Sequence, residues 1–359
     1  MFNLNNVINT KLVRAHIFGE ADSTTISNSV ENCISVLIED CLNSGLESCT
    51  FSKSPGFNVI TGTRQNRNMG QITKSISVSR YNFEVGNINK NGEIDNNITK
   101  NHYRYNEFLD VSGLGEYFLL GYTQGYHGYP HLRSRLYSIY FYDVNYQHIQ
   151  TQMYNLQFYN YTKPSDAHFA KIVIYQETPP TSGDSDFSGA VAFIRTIGMP
   201  RNCFIRNCKF ENNFSTGLAL CGGQGWIIEG NTFSNNKGRM PGCDIDWEDG
   251  WEHMVGDVLR ENTFNSNIGV IMSGGASLTA FNNIFNRSAL TIWGRTQNWR
   301  VFNNIFNQKS SIGSPSLSTQ GDSVFARNVL KGLPDYTLST MHGSSASYKI
   351  HDIANTVIK

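Results

Sequence analysis

Residues 242–254, GCDIDWEDGWEHM, concentrate the ionisable groups of this chain that can do chemistry. They include Asp244, Asp246, Glu248, Asp249 and Glu252, with His253 beside them. In a strand, alternate residues share a face and stand roughly 6.5–7 Å apart at Cα. Asp244 and Asp246 at that spacing reach the carboxyl separations of retaining or inverting glycoside hydrolases, about 5–5.5 Å or 6.5–9.5 Å. Crowding of like charges raises the pKa of one carboxyl, so that an acid stands beside a base. The same groups also suit calcium held by Asp244, Asp246 and Glu248. A purely structural alternative has the acids cap turns or pair with Arg239 and Arg260.

All five tryptophans lie in the same part of the chain: Trp226, Trp247, Trp251, Trp293 and Trp299. Flat aromatic faces stack on sugar rings, so Trp293 and Trp251 join the acids as candidate substrate contacts. Trp247 shares the parity of Ile245 and is expected inside, although it too is a candidate contact. Arg295 and Arg239 are candidates for an anionic group on a polymer, and His253 completes the set.

Composition narrows what such a site can serve. Of 359 residues, 29 are Lys or Arg and 29 are Asp or Glu, so the formal net charge is zero. That balance argues against nucleic acid or an anionic membrane as partner. No apolar run approaches the ~18 residues of a membrane span. The start, MFNLNNVINTKLVRA, has no basic, apolar and small-residue sequence of a signal peptide. The seven cysteines form no CxxC pair, and buried thiols are expected rather than zinc or a dithiol.

The elements that must position the acids come from a repeat. NCFIRNCKF, GWIIEGNTF, GDVLRENTF, SLTAFNNIF, NWRVFNNIF and SVFARNVL end at Phe210, Phe233, Phe264, Phe285, Phe306 and Leu330. Two residues earlier stand Cys208, Asn231, Asn262, Asn283, Asn304 and Asn328; five earlier, the residue is always apolar. Units of roughly 20–25 residues, rich in Val, Ile, Phe, Thr and Asn, cannot bury a core alone and must stack. Short strands joined by turns predict a parallel β-helix, with the Asn column bonding from coil to coil.

A second strand column aligns Leu218, Cys243, Val270 and Leu290, then Leu220, Ile245, Met272 and Ile292, as inward residues. The intervening columns then point outward: Ala219, Asp244, Ile271 and Thr291, and Cys221, Asp246, Ser273 and Trp293. Residues 1–77 read as earlier coils. Between 78 and 178 the strands lengthen, and 15 of the 17 tyrosines fall from Tyr81 to Tyr175. That block reads as an antiparallel β-sandwich inserted into the solenoid, which resumes over 179–359. The fold class expected is all-β: a right-handed single-stranded parallel β-helix with an inserted antiparallel β-sandwich.

The run CGGQGWIIEGNTFSNNKGRMPGCDIDWEDGWEHM, followed by the N-x-F coils, resembles the pectate-lyase-like β-helix proteins carried by phages of Gram-positive bacteria. These are tailspike or pre-neck-appendage receptor-binding proteins. The block GYPHLRSRLYSIYFYDVNYQHI with DAHFAKIVIYQ resembles the carbohydrate-binding-module-like sandwich inserted in such proteins. The resemblance implies a homotrimer in a virion, partnered by other phage tail or neck components. It implies binding, and often cleavage, of a bacterial cell-surface polysaccharide or teichoic acid. It places catalytic carboxylates on the outer face or between subunits, and so implicates Asp244, Asp246 and Glu248, with Asp249 and Glu252 near them. The leading expectation is a hydrolytic glycan depolymerase with no cofactor beyond an optional calcium. The alternatives are a non-catalytic adhesin and a metal-assisted lyase or teichoic-acid phosphodiesterase.

Overall fold

A computed structural model describes residues 2–5, 7–19, 33–39, 41–61, 75–79, 82–95, 102–114, 117–122, 136–156, 161–175, 191–195, 200–238, 242–248, 254–275, 277–292, 296, 298–307, 311–313, 323–332 and 350–358. The chain forms two compact units, Met1–Gln65 with Met199–Lys359, and Asn66–Gly198.

The first unit is a right-handed parallel β-helix of three long parallel sheets. Each complete coil contributes one strand to each sheet in turn, as Leu218–Leu220, Ile227–Glu229 and Thr232–Ser234 do. The strands are short because a closed coil allows only a few residues between corners. Burial alternates along the third-sheet strands, where Thr232 and Ser234 are half-buried while Phe233 is fully buried, whereas first-sheet strands such as Leu218–Leu220 and Ile245–Trp247 are buried throughout. The Phe column stacks inside the third sheet. Ring centroids lie 4.9 Å apart for Phe51–Phe210, 4.8 Å for Phe210–Phe233, 5.2 Å for Phe233–Phe264, 4.8 Å for Phe264–Phe285 and 4.7 Å for Phe285–Phe306. Burying each such ring contributes about 1.5–3 kcal/mol.

The corner between the second and third sheets turns on one residue with positive φ, including Asn207, Gly230, Glu261, Asn282 and Asn303. At Gly230, φ is +65° and an added Cβ would stand 2.5 Å from Asn207 Oδ1, so glycine fits there. Such a bend orphans peptide groups, and the next residue satisfies them. Asn262 Nδ2 donates to Ile228 O at 2.9 Å and to Asn283 Oδ1 at 3.0 Å, while its own amide donates to the same oxygen at 3.0 Å. Asn231, Asn283, Asn304 and Asn328 repeat the pattern. This is the expected Asn ladder, running inside the wall and closing its polar groups without water.

The second strand column has a different register from the one expected. Leu218 pairs with Ile245 and Leu220 with Trp247, which continue to Val270 and Met272. The inward residues of this coil are therefore Ile245 and Trp247, and Cys243 and Asp244 precede the strand.

The second unit is an antiparallel sandwich. One sheet has six strands and the other four. Phe118 and Leu120 of the smaller sheet pack with Ile139, Phe141, Ala170 and Ile172 of the larger. The unit is wider than the block 78–178. Ser75–Ser79 and Val191–Arg195 pair with each other in the smaller sheet, register Val191↔Ser79 to Arg195↔Ser75, rather than extending the solenoid.

Candidate functional site

The acidic coil enters the first sheet through a bend at 243–244 and continues as the strand Ile245–Trp247. Asp244 does not project into water: it is fully buried. Its Oδ1 accepts the Asn236 side-chain amide at 2.7 Å. Asn236 itself belongs to a second internal amide column, in which Asn213 Nδ2 donates to Asn236 Oδ1 at 2.7 Å and the Asn236 amide donates to Ser266 Oγ at 2.9 Å. Burial pushes the Asp244 carboxyl up to about 8, against the opposing pull of Ser266 and Asn236. It therefore holds a proton at neutral pH. The outward reading of Asp244 is thus corrected. The strand parity behind it does not extend through the bend, where the chain turns this side chain inward.

Asp246 occupies the outer register between Ala219 and Ile271, and is 7% exposed. Glu248 is half-buried, and its amide donates to Leu220 O at 2.8 Å. Trp247 is fully buried and belongs to the core. Asp249, Trp251, Glu252, His253, Arg239, Trp293 and Arg295 lie outside the described residues. Arg260, weighed as a partner for the acids, instead forms an ion pair with Glu229, which also meets Arg206 at 2.6 Å. A calcium ion shared by Asp244, Asp246 and Glu248 would need the Asp244 carboxyl outside, whereas it lies within the wall.

One acid was missed by sequence reasoning. Asp257 is fully buried. Its Oδ1 accepts the Trp226 amide at 2.9 Å and its Oδ2 accepts the Trp247 indole N–H at 3.2 Å. Burial pushes it up to about 7, opposed by the Trp226 amide, the Trp247 indole and the Gly225 amide. The signal was present. Seven residues before the column Phe or Leu stand Ser44, Cys203, Trp226, Asp257, Leu278, Trp299 and Ser323, all fully buried. Asp257 is the single charged residue in that column. Both acids with raised pKa values in this coil are thus interior, and they hold coils together rather than face a ligand.

From Thr232 to Asn307 the outer face of the third sheet carries hydroxyls, amides and isoleucines, while one coil earlier the same column holds Glu211, in register with Ser234. Asn286 Nδ2 donates to Asn265 Oδ1 at 2.9 Å, Asn307 Nδ2 to Asn286 Oδ1 at 2.8 Å, and Asn265 Nδ2 to Ser234 Oγ at 3.2 Å. Beside them Asn235 Nδ2 donates to Asn212 Oδ1 at 2.7 Å. Parallel pairing keeps these residues one above another, so the amides repeat at the strand spacing of roughly 4.7–4.9 Å.

Residues 193–320 match the family model of the periplasmic copper-binding protein NosD, a right-handed parallel β-helix family. No curated protein matches the chain. The donor set does not fit copper among the described residues. They contain no group of three or more His, Cys, Asp or Glu that could hold a metal ion, and Cys41, Cys49, Cys203, Cys208 and Cys243 are core residues.

Proposed function

We propose that this chain is a glycan-binding surface protein of the spike-like, receptor-binding kind, acting outside the cytoplasm, and that it holds its polymer without cutting it. The observation that carries this reading is the outer amide row Asn265–Asn286–Asn307, linked by bonds of 2.9 and 2.8 Å. Amides fixed at a constant interval offer donors and acceptors to a polymer that repeats its hydroxyls. The formal net charge of zero supports recognition by hydrogen bonds rather than by charge.

Binding is favoured over hydrolysis by the place of Asp244. Cleavage by an Asp244/Asp246 pair needs both carboxyls at the glycosidic bond, and a carboxyl bonded to Asn236 inside the wall is not at any bond outside it. The likeness to a periplasmic family supports an extracytoplasmic setting. A bacterial cell-surface polysaccharide or teichoic acid as ligand, a homotrimer and a place in a phage virion belong to the same proposal.

The test is retention of the full chain on immobilised Gram-positive cell-wall polysaccharides, with and without their teichoic acid. Retention is expected, with no new reducing ends and no ultraviolet-absorbing unsaturated product. Absence of retention on every polymer overturns the reading. So does accumulation of chain ends with the wild type that stops in Asp246→Asn, which would restore the hydrolase.

A further inference from the structure

The inner amide column gives way to sulfur at two successive rungs. Asn231, Asn262, Asn283, Asn304, Asn328 and Asn355 fill one interior position, coil over coil, at the corner before the third sheet. One coil before Asn231 that position holds Cys208, and one coil before Cys208 it holds Cys49. The cysteines copy the ladder only in outline. The Cys208 amide donates to Asn231 Oδ1 at 2.8 Å, whereas the Cys49 amide donates to Cys208 Sγ at 3.4 Å. A thiol is a weak donor and a weak acceptor, so the ladder itself gains nothing from two of them in succession.

The two residues stand at the same height. Arg206 pairs with Glu47 just before them and Lys209 with Thr50 just after. Between those pairs the corner residues Ser48 and Asn207 share the left-handed backbone, φ 57° and 53°. Coils stacked in register hold their Cα atoms roughly 4.7–4.9 Å apart, inside the window of about 4.4–6.8 Å that a disulfide bridges. Both side chains point into the same dry interior, each 1% exposed. The thiols already interact: the hydrogen bond between them pulls Cys49 down to about 6 and pushes Cys208 up. Cys41 and Cys203 lack this register. Cys203 Sγ reaches Cys41 O at 3.5 Å, but the bridge Leu42↔Arg201 and the pair Gly45↔Phe204 set Cys203 level with Ser44.

The place of the pair gives a bond between them a use. Cys49 lies before the insertion and Cys208 after it, 159 residues apart in sequence, on coils that meet directly. We propose that Cys49 and Cys208 form an inter-coil disulfide that fastens the solenoid across the insertion. A cross-link over so long a loop removes much of the freedom of the unfolded chain. Both residues are thiols in the structure, so the bond requires a two-electron oxidant, a small disulfide of the glutathione class. The Cys49 thiolate attacks one sulfur of that disulfide and releases one glutathione thiolate. The Cys208 thiolate then attacks the Cys49 sulfur of the mixed disulfide and releases the second. Two cysteine thiols are oxidised, one glutathione disulfide is reduced to two thiols, and the two cysteine protons pass to the released thiolates. Burial of both sulfurs places the reaction during folding, before the coils close. The inference does not depend on glycan binding, and an extracytoplasmic setting supports it, because oxidising compartments retain such bonds.

The experiment unfolds the full chain in denaturant with reductant and refolds it in parallel in a glutathione redox buffer and in a reducing buffer. After oxidative refolding, non-reducing peptide mapping is expected to find the Cys49 peptide joined to the Cys208 peptide. The intact mass should fall by two hydrogen atoms, and the solenoid's melting transition should lie roughly 5–15 °C above that of the reduced chain. Cys208→Asn extends the amide ladder by one rung, so this variant is expected to fold and to melt at the same temperature in both buffers. Mapping of the wild type decides independently of how the variant folds. Free thiols at both positions after oxidative refolding overturn the proposal, as does pairing of either residue with a different cysteine. A mapped bond without a rise in the solenoid transition overturns its fastening role, and a rise that persists in Cys208→Asn overturns its assignment to this pair.

Discussion

Trp247 Nε1 donates to Asp257 Oδ2 at 3.2 Å, and neither residue is exposed. The bond ties the first-sheet strand of the acidic coil to the corner where that coil enters the second sheet. Because Asp257 Oδ1 also takes the Trp226 amide at 2.9 Å, one carboxyl bridges two coils. Its protonation therefore bears on the stability of the solenoid.

The sign of that effect follows from the shifts. Asp257 and Asp244 are pushed up to about 7 and about 8 in the folded chain, against about 3.9 unfolded. The folded state binds more protons between these limits, so their contribution to stability is complete below about pH 4 and is lost as pH rises through 7 and 8. The slope approaches 1.4 kcal/mol per pH unit for each proton involved. The solenoid's melting temperature is expected to fall between pH 5 and pH 9 in a calorimetric series. Asp244→Asn should flatten that fall, because an amide oxygen still accepts the Asn236 bond. A profile of unchanged slope in Asp244→Asn would show that this carboxyl ionises outside the wall.

The two amide rows should respond differently to truncation. Asn283 Nδ2 donates to Leu259 O at 3.0 Å, Phe281 O at 3.0 Å and Asn304 Oδ1 at 2.9 Å, all within the wall. Asn283→Ala leaves buried carbonyls unpaired and is expected to cost about 2–4 kcal/mol. Asn286→Ala, on the outer face, should change stability by less than about 0.5 kcal/mol, yet reduce retention on polysaccharide. Denaturant titration separates the two, and equal losses of stability would contradict the assignment of inner and outer rows.

Gly45 sits where the coil before the insertion meets the coil after it, paired with Phe204. A Cβ there would stand 1.9 Å from Phe204 O, a backbone atom with no rotamer to change. Gly45→Ala is therefore expected to force the two coils apart, at a cost of about 1–3 kcal/mol or more. The solenoid's calorimetric transition should drop while that of the inserted unit stays in place. An unmoved solenoid transition would mean that the two coils adjust without loss.

The parts of this structure legible in the sequence are those with a constant period. Phe210, Phe233, Phe264, Phe285 and Phe306 and the Asn two residues before most of them announce an inner column and its ladder, because each coil must place one ring and one amide at the same height. The acidic site was read less well. The step from Phe233 to Phe264 is 31 residues where its neighbours are 21–24, so glycine-to-glycine alignment shifted this strand by two. Period-2 parity survived the shift, and Ile245 and Trp247 remain inside. It failed for Asp244, which left the strand for a bend. The strand Val191–Arg195 was read as solenoid because a short apolar run looks alike in both folds, and its partner Ser75–Ser79 lies more than a hundred residues away.

Thiol reactivity probes the wall from another direction. Cys33 is exposed and Cys221 half-buried, whereas Cys41, Cys49, Cys203, Cys208 and Cys243 are buried. Burial pushes the Cys203 thiol up to about 12 and the Cys243 thiol well above its ordinary range, so little thiolate forms at neutral pH. Reactivity needs both thiolate and access. With Ellman's reagent at pH 8, Cys33 of the reduced chain is expected to react first and Cys221 more slowly, with the other five appearing only after unfolding; for Cys49, whose hydrogen bond with Cys208 pulls its thiol down to about 6, burial alone is what withholds it. Because Asp244 and Cys243 share the bend, Asp244→Ala should release Cys243 next, by removing the bond to Asn236 that holds the bend inside. Rapid labelling of Cys243 in the native wild type would place that bend outside the solenoid, and with it the carboxyl of Asp244.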